Sequence, residues 1–311
     1  MISVIIPTYN EEDNVEQLMA EIDKVLADTG IDAEVIFVDD GSTDSSWQRI
    51  TDLAAKDSRI RGVRLRRNFG KAAALSAGIG KVRGERIITM DADLQDNPRE
   101  IPHLLAKIDE GYHVVSGWKK RRYDPWHKVL PSRVFNWCIG KICGPPLHDH
   151  NCGLKCYRTE VLREVSLYGE LHRFITVLAH SRGFRVTEIP VEHRARMHGV
   201  SKYGAKRFLK GFLDLMTVRF LTGYGQRPQH LLGTVGMLSF VTGLAGMAYL
   251  AVIWLMGLGP IGTRPVLTYS VAALLLGAQL ASIGMLAEML TAHNISCGGA
   301  AYYSVAEEIG D

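Results

Sequence analysis

The stretch Arg86-Ile87-Ile88-Thr89-Met90-Asp91-Ala92-Asp93-Leu94-Gln95 places an apolar run directly before a D-x-D motif. The apolar run predicts a strand, and side chains along an extended segment alternate between its two faces. We therefore expect Asp91, Asp93 and Gln95 to point the same way from the end of this strand. Two carboxylates and an amide oxygen suit a hard divalent cation, Mg2+ or Mn2+. Acidic pairs after strands also occur as ordinary turn residues, so the surrounding sequence has to decide between the two readings.

Apolar runs and amphipathic segments alternate through the first 118 residues. Strands are predicted over residues 3–8, 34–39, 61–65, 86–90 and 113–116, and helices over 12–27, 44–56, 70–81 and 98–109. This alternation predicts an α/β fold whose mostly parallel sheet is covered by helices on both faces. Ligands of such folds bind at the carboxyl ends of the strands, where the polar motifs of this chain lie. Further along, residues 129–142 are predicted helical, and residues 152–157 and 185–191 extended.

Two stretches towards the end of the chain contain no charged residue, residues 231–257 and residues 266–287. Each exceeds the roughly 20 residues that cross a bilayer's hydrocarbon core. We predict two transmembrane helices, at about 231–257 and 266–290, with buried helices of a soluble protein as the alternative. Residues 204–222 alternate basic and apolar positions, which predicts an amphipathic helix lying in the membrane interface. The same pattern also fits an amphipathic helix packed on the protein.

These elements predict four segments: an α/β domain over 1–203, a juxtamembrane amphipathic helix within 204–228, two transmembrane helices within 229–292 and a tail over 293–311. The first seven residues lack a basic region, a long apolar stretch and a cleavage site, so we expect the α/β domain to stay in the cytoplasm. A basic belt before the first span marks that side as cytoplasmic. Two spans return the tail to the same side. The predicted location is the cytoplasmic (inner) membrane, with both termini in the cytoplasm.

The net charge of +3 matters less than this local basic belt, which favours anionic lipid headgroups. No nucleic-acid partner is expected. The five cysteines are consistent with a reducing compartment. An alternative is a zinc cluster, although the spacing fits no standard finger; its ligands would come from Cys138, Cys143, His148, His150, Cys152 and Cys156.

Three blocks in this order resemble the nucleotide-sugar-binding half of a family 2 glycosyltransferase of GT-A fold. They are Val4-Ile5-Ile6-Pro7-Thr8-Tyr9-Asn10-Glu11, Val38-Asp39-Asp40-Gly41-Ser42-Thr43-Asp44 and Asp91-Ala92-Asp93-Leu94-Gln95. The resemblance implies a Rossmann-like catalytic domain. It also implies contacts to the donor nucleotide from Pro7, Tyr9, Glu11 and Asp39, and ligation of Mg2+ or Mn2+ by Asp91, Asp93 and Gln95.

Later blocks are similar to the polyprenyl-phosphate glycosyltransferases, the group of dolichol-phosphate mannose synthase and its bacterial undecaprenyl-phosphate relatives. They include Asn68-Phe69-Gly70-Lys71, Asp149-His150-Asn151-Cys152-Gly153-Leu154, Leu171-His172-Arg173-Phe174 and Gly199-Val200-Ser201-Lys202-Tyr203-Gly204. The pair of predicted spans resembles the bacterial two-span members of this group.

The narrower resemblance implies further roles. Arg196, Ser201 and Lys202 would hold the donor's diphosphate, and Lys128 and Ser132 the acceptor phosphate. Lys128 stands where relatives often carry arginine, and a lysine is a point charge without the bidentate fork. Asp149 would be an active-site carboxylate, with capping of the following turn as the alternative. Thr176 stands where close relatives are expected to carry proline.

The implied reaction is the inverting transfer of a hexose from a nucleotide-diphosphate sugar to a polyprenyl phosphate, for cell-envelope glycosylation. UDP-glucose is the first expectation for the donor and GDP-mannose the second. A lipid phosphate is largely dianionic near neutral pH, so no strong general base is required. Catalysis then rests on positioning and on neutralising the leaving nucleoside diphosphate.

Three other functions are alternatives to this one. A processive polysaccharide synthase of the same fold carries a Gln-x-x-Arg-Trp block, whereas Arg-Trp occurs nowhere in this chain. A non-catalytic membrane scaffold would not need the acidic motifs. A lipid-sugar flippase would need more than two spans and an intramembrane charge cluster.

Small residues recur at every fourth position of the second predicted span, at Ala273, Gly277 and Ala281. Such a stripe lets helices approach closely in lipid. It predicts a homo-oligomer, with packing against the first span of the same chain as the alternative.

Overall fold

The computed structural model describes residues 1–120, 126–165, 167, 171–194, 206–224 and 227–296. The chain divides into two compact units, Met1–Val218 and Arg219–Asp311. A seven-stranded sheet in the order β3-β2-β1-β4-β6-β5-β7 forms the centre of the first unit. Its strands are β1 (Ile2–Thr8), β2 (Ala33–Asp39), β3 (Ile60–Arg64), β4 (Arg86–Thr89), β5 (Val114–Trp118), β6 (Lys155–Arg158) and β7 (Val186–Pro190).

Helices connect these strands as the sequence predicts. Before β6 they are α1 (Val15–Thr29), α2 (Ser46–Lys56), α3 (Lys71–Ile79), α4 (Ile101–Asp109) and α5 (Trp126–Ile142), with a 3-10 turn at Pro98–Glu100 ahead of α4. Two short helices, α6 (Thr159–Glu164) and α7 (Ile175–Ser181), and a 3-10 turn at Leu171–Phe174 were not predicted. The α/β class and the mostly parallel sheet are confirmed, with six of the seven strands parallel to one another.

The central strands are buried on both faces because helices cover both sides of the sheet. Along β1, Val4 and Ile6 belong to one core cluster, and Ile5 between them belongs to the other. The first cluster takes its helical side chains from α1, α2 and α4, and the second from α3, α6 and α7. Alternate residues of one strand therefore serve two separate cores, as the pleat of a strand requires.

The one strand of reversed direction is β6, which is antiparallel to both β4 and β5. Its first residue therefore lies at the edge of the sheet where β4 and β5 end. The segment that precedes β6 is thereby brought to the carboxyl edge of the sheet, where the sequence blocks of interest converge.

A third core cluster joins α5 to α8 (Lys206–Gly223). Ile139 of α5 is buried together with Leu215 and Val218 of α8. The prediction of an amphipathic helix over 204–222 is consistent with this packing, which covers one face of α8. Its opposite face leaves apolar side chains exposed, Leu213 and Met216 among them.

The second unit contains α9 (Pro228–Leu255) and α10 (Pro265–Ser296). Two segments, Pro228–Leu255 and Pro265–Thr291, are long and apolar enough to cross a membrane, within three residues of the predicted span bounds. The helices approach so closely at Gly277 that a Cβ there would lie 2.6 Å from the carbonyl oxygen of Gly236. Gly277 therefore packs within the chain, which is the alternative stated above. The homo-oligomer stays a prediction.

Candidate functional site

A cleft of about 380 Å3 opens at the carboxyl edge of the sheet. Its lining comes from the ends of β1, β2 and β4, the start of α3, the segment before β6 and the 3-10 turn that precedes α7. The predicted residues Pro7, Tyr9, Glu11, Asp91, Asp93 and Gln95 all line it. The structure thus brings the donor-binding and metal-binding candidates of two sequence blocks into one cavity.

The wall formed by residues 7–11 is fixed by hydrogen bonds to the loop after β2. The backbone N–H of Asn10 donates to Ser42 Oγ at 2.9 Å, and that of Glu11 donates to Ser46 Oγ at 2.8 Å. In return, Asn10 Oδ1 accepts the backbone N–H of Thr43 at 2.9 Å, with Asn10 in the left-handed region at φ 53°. Side chains of each loop thus cap the backbone of the other, so the wall is rigid before any ligand arrives.

Of the neighbouring pair Asp39 and Asp40, the structure brings only Asp40 to the cleft. Asp39 is fully buried; its Oδ1 accepts the N–H of Ser42 at 3.0 Å, and its Oδ2 lies 3.2 Å from Arg64 Nε. These contacts make Asp39 a buried support of the loop after β2. Asp39 does not line the cleft in this structure, and its contact with the nucleotide stays a prediction. Asp40 accepts the N–H groups of Phe69 and Gly70, at 2.8 and 2.9 Å.

The prediction that an extended segment makes Asp91, Asp93 and Gln95 converge is wrong. β4 ends at Thr89, and residues 91–95 form a turn in which Leu94 adopts φ 59°. The backbone N–H of Gln95 donates to Asp93 Oδ1 at 3.2 Å, a local contact that an extended segment would not make. The three side chains face the same cleft because the chain folds back on itself.

Asp91 lies between a lysine and a glycine. Its Oδ1 forms an ion pair with Lys71 Nζ, the first residue of α3. Although burial works in the opposite direction, Lys71 holds the pKa of the Asp91 carboxyl below its usual range. A Cβ on Gly153 would lie 2.6 Å from Asp91 Cγ, so only glycine leaves room for this carboxylate. Gly153 lacks a left-handed φ, so space alone decides the residue.

Two further lysines stand close to the turn of residues 91–95, called the acidic turn below. Both are paired with groups outside it or at its edge. Lys119 Nζ lies 2.9 Å from Asp96 Oδ1, with Asp96 buried, and this pair raises the pKa of Lys119 despite burial. Lys155 is buried, and its Nζ donates to the carbonyl oxygens of His150, at 3.1 Å, and Cys152. Burial lowers the pKa of Lys155.

His172 and Arg173 supply the wall formed by the 3-10 turn before α7. Burial, together with the charges of Lys71 and Arg173, lowers the pKa of His172 to about 2. The imidazole therefore stays neutral at any physiological pH, and its Nδ1 is buried without a hydrogen-bond partner. A neutral ring at this position can donate to or accept from an uncharged group of a ligand.

Asp149 is buried, and it is not among the residues that line the cleft. Its Oδ1 accepts the backbone N–H of Asn151 at 3.0 Å and lies 3.5 Å from Asn136 Nδ2. Capping of the following turn, the alternative stated above, is therefore observed, and the catalytic role of Asp149 stays a prediction. Nearby, Thr176 Oγ1 lies 3.0 Å from His150 Nδ1, both side chains being fully buried. The threonine found in place of the expected proline thus has a polar partner.

The predicted acceptor-phosphate residues both belong to α5, four positions apart and so on one face of that helix. Ser132 is half-buried, and the side chain of Lys128 lies outside what the structure describes. The donor-diphosphate candidates Arg196, Ser201 and Lys202 lie outside the described residues altogether. The nearest described residues are His193 and Arg194. The backbone N–H of Arg194 donates to the Gln95 carbonyl oxygen at 3.0 Å, which joins this segment to the acidic turn.

No group of three or more histidine, cysteine, aspartate or glutamate side chains that could hold a metal occurs among the described residues. The alternative of a zinc cluster in residues 138–156 therefore has no support in this part of the chain. The set of Asp91, Asp93 and Gln95 has two carboxylates and one amide. It fits a hard divalent cation by its all-oxygen donors and by the glycine cradle at Gly153 that leaves Asp91 free to face the cleft.

Several cleft residues received no role from the sequence, namely Asp40, Lys71, Gly153, Lys155, His172 and Arg173. Most of them belong to blocks that resemble glycosyltransferase motifs, Asn68-Phe69-Gly70-Lys71 and Leu171-His172-Arg173-Phe174 among them. The signal was therefore present as an unassigned motif. The location of each motif relative to the cleft was the missing information.

Comparisons with known proteins agree with this geometry. The sequence model described as Glycosyl transferase family 2 matches residues 3–166. Dodecaprenyl-phosphate galacturonate synthase of Rhizobium johnstonii is 39% identical over 300 residues, covering 93% of this chain and 87% of that protein. Undecaprenyl-phosphate 4-deoxy-4-formamido-L-arabinose transferase of Edwardsiella ictaluri is 35% identical over 292 residues, covering 93% and 88%.

Among solved structures, glucosyl-3-phosphoglycerate synthase of Mycobacterium tuberculosis, in complex with Mn2+, UDP-glucose and phosphoglyceric acid, superposes with a TM-score of 0.54. The match covers 71% of this chain and 79% of that one at 20% identity, and it shows the shared GT-A fold. The family match spans the acidic turn and the wall of residues 7–11, and the two relatives cover nearly the whole chain. This chain is a glycosyltransferase and belongs to glycosyl transferase family 2.

Proposed function

We propose that this protein transfers a sugar from a nucleotide-diphosphate donor to a polyprenyl phosphate at a membrane surface. The observation that carries the proposal is the convergence of Tyr9, Glu11, Asp91 and Asp93 in a single cleft. An aromatic and polar wall on one side and two carboxylates on the other match the two ends of a nucleotide diphosphate that is bound with a divalent cation. The acceptor follows from the relatives, whose names specify dodecaprenyl phosphate and undecaprenyl phosphate.

In this proposal Asp91, Asp93 and Gln95 would hold Mg2+ or Mn2+, and the cation would supply charge neutralisation for the leaving diphosphate. Pro7, Tyr9 and Glu11 hold the nucleotide, with Asp39 supporting their wall from the loop after β2. Arg196, Ser201 and Lys202 complete the diphosphate site. The acceptor's phosphate is itself the nucleophile, so the chain has to position it and exclude water.

Lys128 and Ser132 hold the acceptor phosphate on one face of α5, and Asp149 fixes the turn that follows it. The phosphate of a polyprenyl lipid stays at the bilayer surface because its isoprenoid tail is in hydrocarbon. The catalytic domain of residues 1–203 therefore has to work at that surface, on the cytoplasmic side of the inner membrane. The two candidate spans and the exposed apolar face of α8 support such a location.

The transferred sugar is the least constrained part of the proposal. UDP-glucose remains the first proposal and GDP-mannose the second, with inversion at the anomeric carbon. The names of the relatives add galacturonate and 4-deoxy-4-formamido-L-arabinose as donor sugars to be compared.

The deciding experiment incubates the purified full-length protein, in detergent with Mg2+ or Mn2+, with undecaprenyl phosphate and one labelled nucleotide sugar at a time. The four sugars named above form the panel, and the label recovered in the organic phase is counted. We expect one donor to label the lipid, and the label to depend on the lipid phosphate.

The test variant is Asp93→Asn, which removes the charge of a proposed metal ligand. Its matched control is Asp13→Asn, which changes an exposed carboxylate outside the cleft. We expect Asp93→Asn and EDTA to abolish labelling and Asp13→Asn to leave it unchanged. Label entering a soluble polysaccharide instead of the lipid phase would favour a processive synthase. Label that reaches the organic phase equally well without undecaprenyl phosphate would reject the proposed acceptor.

A further inference from the structure

Three lysines surround the acidic turn, and they differ in the groups with which they are paired. Lys119 is paired with the buried Asp96, and Lys155 is buried with two backbone carbonyls as its acceptors. If either ammonium moved away, a buried charge or hydrogen-bonding group would lose its partner, which is costly. Lys71, in contrast, is paired with Asp91 itself, and both side chains are about one-third exposed. Because both partners reach solvent, Lys71 can exchange Asp91 for another anion without leaving a fully buried charge behind.

The backbone that carries Lys71 is fixed, although its side chain is accessible. Lys71 is the first residue of α3, and the N–H of the preceding Gly70 donates to Asp40 Oδ2 at 2.9 Å. Next to Asp40, Gly41 approaches the loop so closely that a Cβ there would lie 2.7 Å from Arg67 Cα. The start of α3 is therefore set by Asp40 and Gly41, and only the four-carbon stem of the lysine is available for movement.

We propose that Lys71 is a movable counter-cation for this site, a role that rests on the proposed function. Before the donor binds, Lys71 balances the charge of Asp91. When a divalent cation and the donor enter the cleft, Lys71 leaves Asp91 for an oxygen of the donor's diphosphate, beside the N-terminus of α3. The same ammonium thus opposes the cation when the nucleotide is absent and supports its retention when the nucleotide is present.

This behaviour has a physical cause in the charge of the occupants. A cation and an ammonium compete for one carboxylate, so Lys71 must weaken cation binding to the empty cleft. A nucleoside diphosphate brings several negative charges, and an ammonium is a strong phosphate partner. Lys71 therefore gains a new partner as it loses the old one. The structure also explains why Lys119 and Lys155 cannot take this role, since Lys119 is paired with the buried Asp96 and Lys155 is itself buried against backbone carbonyls.

The test measures Mn2+ binding to the full-length protein in detergent, by the paramagnetic resonance signal of free Mn2+, with and without saturating UDP. Lys71→Met is compared with wild type and with Lys56→Met, which changes an exposed lysine at the end of α2. Without UDP, we expect Lys71→Met to bind Mn2+ about two- to fivefold more tightly, because a competing partly exposed pair is lost. With UDP, we expect it to bind Mn2+ more weakly than wild type.

Lys71→Arg should keep the wild-type order in both conditions, and Lys56→Met should match wild type throughout. A change of the same sign with and without UDP, or no change in either, overturns the proposal. A structural defect of α3 would weaken binding in both conditions. If the methionine variant shows no cooperative thermal unfolding transition, Lys71→Gln replaces it in the comparison.

The outcome also separates this inference from the function on which it rests. If Asp91→Ala and Asp93→Ala both bind Mn2+ as tightly as wild type, the proposed metal site is rejected, and this inference with it. Wild-type binding that requires Asp91, combined with no effect of Lys71→Met, would reject the movable counter-cation alone.

Discussion

Gly153 faces the carboxylate of Asp91 across a gap that no side chain can enter: a Cβ on Gly153 would lie 2.6 Å from Asp91 Cγ. Gly153 precedes the antiparallel strand β6, whereas Asp91 follows the neighbouring strand β4. The acidic turn is therefore shaped from outside as well as by its own backbone.

Gly153→Ala is expected to move the Asp91 carboxylate and to lower sugar transfer by about 100-fold, since displacement of a reacting group by about 1 Å costs this much. Mn2+ binding should weaken in parallel, and thermal unfolding should change little. Gly80→Ala is the matched control, because its nearest neighbour would be 3.6 Å away. Equal activity of the two variants would show that Asp91 tolerates displacement.

Helix α5, which carries the proposed acceptor-phosphate residues, gives a second prediction. Lys128→Ala and Ser132→Ala should each raise the KM for polyprenyl phosphate about tenfold, because a hydrogen bond to a charged group contributes roughly 1.5–3 kcal/mol. The affinity for UDP, measured by calorimetry, should stay at the wild-type value. Arg133→Ala, at an exposed position one residue further on α5, is the control. Equal losses for both ligands would assign these residues to the donor site.

His150 gives a prediction about pH. Burial and the nearby charge of Lys155 lower the pKa of His150 to about 4 in the folded chain, whereas an unfolded histidine titrates near pH 6.5. Below pH 6.5 the unfolded state takes up a proton that the folded state refuses. The stabilisation from a neutral His150 is therefore full above pH 6.5 and is lost progressively as the pH falls towards 4.

We accordingly expect the Tm of the detergent-solubilised protein to fall between pH 7 and pH 5. That fall should be smaller in His150→Gln, which cannot titrate. Thr176→Val should lower the Tm at every pH, because it removes the hydrogen bond between the threonine hydroxyl and His150 Nδ1. An identical pH dependence in wild type and His150→Gln would contradict the assignment.

The contact between the two spans gives a fourth prediction. Gly277→Leu should separate α9 from α10, because the added side chain would meet the backbone of Gly236 and Phe240. Overpacking of this kind costs about 1–3 kcal/mol, so the Tm should fall. Leu276→Ala, at an exposed neighbouring position, is the control. A cross-linking ladder in membranes that changes while the Tm does not would assign Gly277 to contacts between protomers.

The sequence predicted the sheet well because the strands of the first 118 residues are short apolar runs between amphipathic helices. Their observed bounds differ from the predicted ones by at most two residues; β2, for example, begins at Ala33 instead of residue 34. The direction of β6 could not be predicted, since strand polarity depends on which neighbours a strand pairs with. Helices α6 and α7 are six and seven residues long, too short to show helical periodicity.

The site was predicted in its membership better than in its geometry. Asp91 and Asp93 do line the cleft, but the turn that brings them there depends on the left-handed Leu94, a residue type that gives no warning of it. Asp39 and Asp40 are adjacent in the same motif and both are buried, so only their positions in the fold show that Asp40 is the one that lines the cleft. The ion pair of Lys71 with Asp91 joins residues 20 positions apart, which spacing alone does not reveal.

The left-handed turns at Gly30 and Gly183 precede β2 and β7, at the edge of the sheet opposite the cleft. A Cβ at either glycine would meet nothing within 4 Å, and both turns face solvent. Exposed turns of this kind are the usual places where a foreign peptide can be inserted. A fluorescent reporter or an affinity tag at Gly183 would thus be carried by the domain without approaching the reacting groups, which makes this turn a practical handle for immobilising the enzyme.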